Sequence, residues 1–137
     1  MSFKKEYAEK LISAEEREFI EVDKILGFFN TDIGRRAAVS AELYKEAEFN
    51  FLKESDGVEV MVQGIIDCFF REGDKYILID YKNSYIDPLR REEGLQRIKE
   101  TYSAQVELYR EALHSIKDGE VAESYLYLFS EGEFVKV

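Results

Sequence analysis

The sequence predicts an α/β sandwich, a mixed β-sheet with helices packed on it. Three observations predict it. Residues 43–82 hold three strand-length runs of apolar and aromatic residues, separated by two tight-turn signals. A long amphipathic helical pattern follows at 93–116. After it comes another buried-type run, VAESYLYLF. A helix of that length can carry the chain back across a sheet, so the strands on either side of it are expected to pair in parallel.

The elements follow in order. Residues 4–29 are helical in pattern. Ser13-Ala14-Glu15-Glu16 resembles a capping box, with Phe19, Val22, Ile25 and Leu26 as the apolar stripe behind it and Gly27 ending or kinking the helix. Residues 31–40 form a short helix capped by Thr31 or Asp32. Residues 43–52 are aromatic-rich and partly alternating, hence a strand. Ser55-Asp56-Gly57 is a turn, 58–71 a long strand, Gly73-Asp74 a hairpin turn and 75–82 the return strand. Residues 83–93 form a loop holding the only proline, Pro88. The long helix carries Tyr102, Val106, Tyr109 and Leu113 among its apolar residues. Strand 121–129, a turn at 130–133 and a short last strand at 134–137 complete the chain.

Composition bounds the function. The chain has 137 residues, 45% of them hydrophobic and 14% aromatic, enough for one domain with one core. The only cysteine, Cys68, excludes an intramolecular disulfide and fits a reducing compartment. The N-terminal stretch has no apolar signal region and no membrane-length span, so the chain reads as soluble and cytoplasmic, with no membrane partner. The net charge of −10 counts against autonomous nucleic-acid binding, because phosphate contacts need basic surface. Bound divalent cations or a larger assembly would offset it.

The residues that carry chemistry lie on the hairpin. In Ile79-Asp80-Tyr81-Lys82, strand alternation puts Asp80 and Lys82 on one face. Pairing through Gly73-Asp74 brings Asp67 level with Asp80 across the ladder. Two converging carboxylates repel and need a proton or a cation. A hard oxygen-liganded ion such as Mg²⁺ or Mn²⁺ satisfies them, polarises a phosphoryl oxygen and acidifies bound water. Lys82 could then orient that water and stabilise developing negative charge. The same spacing also describes an ordinary ion pair on a half-exposed strand, with Asp67 merely ending the apolar pairing.

The stretch VQGIIDCFFREGDKYILIDYK, residues 62–82, resembles the G-I-I-D … I-D-Y-K core of the PD-(D/E)XK nuclease superfamily. It looks most like the C-terminal nuclease domain of the AddA subunit of AddAB helicase–nucleases, related to RecB. Gln105-Val106-Glu107-Leu108-Tyr109 matches that family's Q-x-x-x-Y motif. Lys45-Glu46-Ala47-Glu48-Phe49 resembles its R-E-x-P-F segment, with Glu48 where proline is usual. The resemblance covers about residues 30–128. It implies a restriction-endonuclease-like sandwich with core order αβββαβ, and a single RecB-like nuclease domain over residues 1–137.

The resemblance also implies roles. Asp67 and Asp80 would be Mg²⁺ (or Mn²⁺) ligands, joined by the Tyr81 carbonyl. Lys82 would be the catalytic lysine, with Gln105 a further catalytic residue. Tyr109, one helical turn from Gln105, and Glu46 would be accessory. The implied activity is DNA phosphodiester hydrolysis within an ATP-dependent helicase/exonuclease for double-strand-break repair and recombination. Its partners would be DNA, the helicase portion of the parent chain and a second helicase–nuclease subunit. Two alternatives stand beside it: a stand-alone exonuclease of the superfamily, and a catalytically silent docking or DNA-guiding module. The family commonly follows D-Y-K with Thr-Asp, where this chain has Asn83-Ser84. Family members also carry an upstream G-T-x-x-H helix, and no histidine precedes Asp67 here. The chain therefore reads as a fragment or shortened relative that starts after that helix.

Other residues read as follows. His114, the only histidine, lies nine positions beyond Gln105 and is expected at the surface or the helix end. Cys68 points away from Asp67 and is expected to be a buried thiol. A lone cysteine cannot hold an iron–sulfur cluster, so none is expected. Arg90, Arg91 and Arg97, with Lys99 nearby, are either a solvated face balanced by Glu92, Glu93 and Glu100 or phosphate contacts at the mouth of the site. Tyr125, Tyr127 and Phe129 read as core or domain interface.

Overall fold

The computed structural model describes residues 27–117 and 119–137. The expected capping box at Ser13 and the stripe from Phe19 to Leu26 lie outside the described residues. Helix α1 spans Asp32–Val39. Thr31 is its N-cap, its Oγ1 accepting from Gly34 N at 2.9 Å and donating to Phe28 O at 2.5 Å.

Strands β1 (Leu43–Ser55), β2 (Val58–Glu72) and β3 (Lys75–Lys82) form consecutive antiparallel hairpins. The first turn holds Asp56 and Gly57 at φ 51° and 77°, the doubly left-handed geometry that matches strand twist. Helix α2 (Arg91–Lys117) leads to β4 (Val121–Leu128), which pairs in parallel with β3 as expected. Strand β5 (Glu133–Lys136) closes the sheet in the order β1-β2-β3-β4-β5. The result is an α/β fold of the restriction-endonuclease-like kind, a mixed five-stranded sheet between helices.

Two boundaries differ most from expectation: β1 runs on to Ser55, past its expected end at residue 52, and the loop before α2 is shorter. Residues 83–93 are not all loop: a 3₁₀ turn spans Pro88–Arg90, and α2 begins at Arg91 rather than Glu93. Asp87 caps the turn, its Oδ1 accepting from Leu89 N at 3.0 Å. Pro88 fits the first turn because it lacks the N–H that would be unpaired there.

Each sheet face has its own core. On one face Phe28, Phe29 and Ala37 pack against Cys68, Phe70, Ile77, Ile79 and Tyr81. On the other, Ile98, Val106, Ala112 and Leu113 of α2 pack on Phe69, Leu78 and Leu126. Tyr127 and Phe129, both nearly fully buried, are core residues, as is Cys68 at 0% exposure.

The β1–β2 ladder is interrupted once, and the interruption shapes the site. Tyr44 stacks on Phe69 at 4.7 Å on the α2 face, and Phe49 meets Tyr109 of α2 edge-on at 5.8 Å. An even and an odd position of β1 thus face the same helix, so the alternation slips by one residue between them. Glu46 has φ 46°, and the paired residues on either side of it are Lys45↔Cys68 and Ala47↔Ile66. The slip therefore falls opposite Asp67. Gly64 serves the same packing: a Cβ there would lie 2.7 Å from the Phe49 ring. The glycine of G-I-I-D leaves room for the ring that supports Tyr109.

Candidate active site

Strand β3 ends at the site. Its alternation turns Tyr76 and Leu78 towards α2 and Ile77, Ile79 and Tyr81 towards Phe28, so Asp80 and Lys82 share the α2 face. Asp80 is 2% exposed, in the middle of an apolar sheet. Lys82 Nζ stands 3.1 Å from Asp80 Oδ2. That contact lacks hydrogen-bond geometry, and Asp80 Oδ2 has no hydrogen-bond partner. A buried carboxylate oxygen faced by an ammonium and otherwise unsatisfied is costly to keep unless something else uses it.

Asp67 reaches the same place by a different route. The β2–β3 pairing ends at Cys68↔Ile79. One residue further, Asp67 Oδ2 accepts a hydrogen bond from Tyr81 N at 2.9 Å, replacing the ladder bond that the strands no longer make. The carboxylate thus substitutes for backbone where the sheet opens. Lys82 O accepts from Phe129 N on the β4 side. Since successive peptide groups point to opposite sides of a strand, the Tyr81 carbonyl is turned towards the Asp67 side.

Helix α2 supplies the roof. Gln105 Oε1 accepts from Lys82 Nζ at 3.0 Å, and Gln105 Nε2 donates to Tyr109 Oη at 3.1 Å. Burial pushes the Tyr109 phenol up to about 12, and the charges of Asp80 and Asp67 add to the shift. Both carboxylates therefore act on one phenol. Tyr102 completes the arrangement: Lys82 Nζ lies 4.4 Å from its ring centroid, within cation–π range.

The structure thus brings together Asp67, Asp80, Lys82, Gln105 and Tyr109. Sequence reasoning misses Tyr102, which reads only as an apolar helix residue. The available signal is its spacing: positions 102, 105 and 109 lie on one helical face. Glu46 is exposed, at the break in the β1–β2 ladder opposite Asp67. Arg90 and Arg97 are exposed near the start of α2. Arg91, also exposed, is paired with Glu133. His114 is exposed at the far end of α2, 3.4 Å from Gly119 O. Cys68, on the opposite face from Asp80, has its thiol pushed up to about 12 by burial.

The donor set fits a hard divalent cation in part. Asp67, Asp80 and a strand carbonyl are all oxygen donors, and Mg²⁺ sites commonly use only one or two carboxylates, with water and phosphate completing the shell. Among the described residues no group of three or more His, Cys, Asp or Glu side chains converges as a metal site. The unsatisfied Asp80 oxygen is the feature that suits a ligand.

Fold and site together define the class: a restriction-endonuclease-like α/β domain with an acid–acid–lysine cluster at the end of a central strand. No family model matches the chain. It is homologous to a segment of bacterial proteins named as the A subunits of ATP-dependent helicase/nucleases. The identity is 36% over 93% of this chain to that of Thermoanaerobacter sp. (strain X514), and 39% over 95% to that of Alkaliphilus oremlandii. To that of Anoxybacillus flavithermus it is 38% over 86%. The chain spans about a tenth of the length of these curated relatives, 10–11% of each.

Proposed function

We propose that this chain is a metal-dependent DNA nuclease domain that hydrolyses phosphodiester bonds as part of an ATP-dependent helicase–nuclease. The observation that carries the reading is the buried Asp80 carboxylate, with Lys82 Nζ at 3.1 Å and Asp67 held beside it on the Tyr81 amide. Asp67, Asp80 and the Tyr81 carbonyl would hold Mg²⁺ or Mn²⁺. Such an ion, when bound, supplies Lewis acidity for the phosphoryl group and a water of lowered pKa.

The chain's own residues do the rest. Gln105 and Tyr102 fix the Lys82 ammonium, so it meets a substrate already oriented. Lys82 stabilises negative charge on the phosphorane-like transition state and orients the attacking water. Gln105 Nε2 donates to the Tyr109 oxygen, which leaves the phenolic proton to serve as a donor to a phosphate oxygen. Arg90, Arg91 and Arg97 would contact phosphates beyond the scissile one. The helicase portion of a longer polypeptide and a second polypeptide of the assembly would supply further basic surface, offsetting the charge of −10.

The test is cleavage of linear DNA with Mn²⁺ by the wild type, Asp80→Ala and Lys82→Ala. Each variant is expected to lose about 100-fold or more in rate, the scale of removing a group aimed at transition-state charge. Equal rates for all three would refute the site. A second reading, a silent docking or DNA-guiding module, draws on the acidity and on the distance of the only histidine from the site. It predicts DNA or protein binding with no cleavage by the wild type.

A further inference from the structure

The pair at the centre of the site sets up a conflict of charge. Lys82 Nζ stands 3.1 Å from Asp80 Oδ2, and the two side chains are 19% and 3% exposed. The same Oδ2 atom is buried and has no hydrogen-bond partner. The ammonium therefore offsets the carboxylate's charge without engaging its lone pairs in a bond. A carboxylate this deep in a sheet depends on a nearby cation. One atom, Asp80 Oδ2, is thus wanted twice: by the ammonium beside it and by any divalent ion the site takes.

The two cations conflict. Mg²⁺ sits about 2.1 Å from its oxygen ligands. An ion at that distance from Asp80 Oδ2 would lie within about 5 Å of Lys82 Nζ. Like charges so close in a buried site repel strongly, and salt screens them little.

The ammonium is also held against retreat. Nζ donates to Gln105 Oε1 at 3.0 Å, and Gln105 is itself fixed by donating from Nε2 to Tyr109 Oη at 3.1 Å. The Tyr102 ring centroid lies 4.4 Å from Nζ on another side. Swinging Nζ out to water gives up the hydrogen bond and the cation–π contact together. No third acid makes up the charge: among the described residues no group of three or more His, Cys, Asp or Glu side chains converges. Asp67, Asp80 and Lys82 together present a single net negative charge to a divalent ion.

We propose that Lys82 is the resident counter-ion of Asp80 and competes with a divalent ion for it. The site then takes metal more weakly than its two carboxylates alone would, and Gln105 and Tyr102 keep the competitor in place. This rests on the metal-dependent nuclease reading. It adds a control on metal loading, separate from the part Lys82 plays at the phosphate.

Mn²⁺ is titrated into the full chain without DNA, at fixed pH and salt, and the free ion is counted by electron paramagnetic resonance. Lys82→Met should bind Mn²⁺ about tenfold more tightly than wild type, or better. Lys82→Gln, equally neutral but polar, should do the same. Lys82→Arg keeps the charge and should stay near wild type, while Asp80→Asn should lose most of the binding. Circular dichroism at the titration temperature checks that each variant is folded. If the wild type binds through Asp80 but both neutral variants bind no more tightly, competition is refuted and the nuclease reading stands. Equal tightening by Lys82→Arg would also refute it, because charge would not be the cause. If no form binds Mn²⁺, or Asp80→Asn binds as well as wild type, the metal reading falls and takes this proposal with it.

Discussion

Replacing Lys82 by Met removes the ammonium and keeps most of the stem. Lys82 Nζ lies 3.1 Å from Asp80 Oδ2, and the two side chains are 19% and 3% exposed. At an effective dielectric near 20, the lost attraction is about 5 kcal/mol. Part of it is returned because the lysine no longer has to be desolvated, and water reaches its exposed side. A loss of about 2–3 kcal/mol remains, somewhat under the range for truncating a fully buried pair. For a domain of this size, that lowers the melting temperature by about 7–10 °C. The measurement is thermal unfolding by circular dichroism in EDTA. Asp80→Asn and the double variant complete a cycle that isolates the pair from the contacts Lys82 makes with Gln105 and Tyr102. In the Asp80→Asn background, Lys82→Met is expected to cost less than half as much. A drop under about 2 °C, or full additivity in the cycle, would refute the idea that Asp80 depends on Lys82. Adding Mg²⁺ should restore stability to Lys82→Met, because an ion binding the native site shifts unfolding by mass action.

Other expectations can be checked alongside. Tyr102→Leu should lower kcat for DNA cleavage several-fold with KM little changed, while Tyr102→Phe, which keeps the ring face, stays near wild type; equal effects would argue for packing alone. Cys68, buried and raised to about 12, should resist alkylation at pH 8 in the native protein and react on unfolding, as followed by mass spectrometry. Glu123 is lowered from 4.5 to about 2, by its hydrogen bonds to Arg36 and then Tyr125. A depressed folded-state value gives stability that is present above the unfolded value and lost as pH falls from about 4.5 towards 2. Arg36→Met should therefore flatten acid unfolding over that window, measured by urea titration at several pH values.

Much of the site is readable from sequence because it depends on local periodicity. Asp80 and Lys82 are two apart on one strand, and Gln105 and Tyr109 are four apart on one helix. The turns at Asp56-Gly57 and Gly73-Asp74 set both hairpins and so the level of Asp67 against Asp80. Sequence signals put the start of α2 two residues late, since Pro88 looks like a loop marker until Asp87 is seen to cap it. Tyr102 escapes the same signals because an aromatic at helical spacing reads as core until its neighbour is known. The chemistry of Arg91 also depends on a distant partner, Glu133, contributed by β5.

The sequence by itself determined the order of the elements, the parallel return through α2 and the common face of Asp80 and Lys82. These follow from chain geometry with periods of two and near four residues. Only the tertiary structure decided how Asp67 joins them. Simple alternation along β2 does not foresee a β1–β2 ladder broken at Glu46 or a β2–β3 ladder that stops at Cys68, leaving the Tyr81 amide for a side chain. The break at Glu46 arises where β1 and β2 must seat Phe49 under Tyr109 and Tyr44 against Phe69 on the same face. That fit joins the β1–β2 hairpin to α2, which is distant from it in sequence, and no local pattern encodes it.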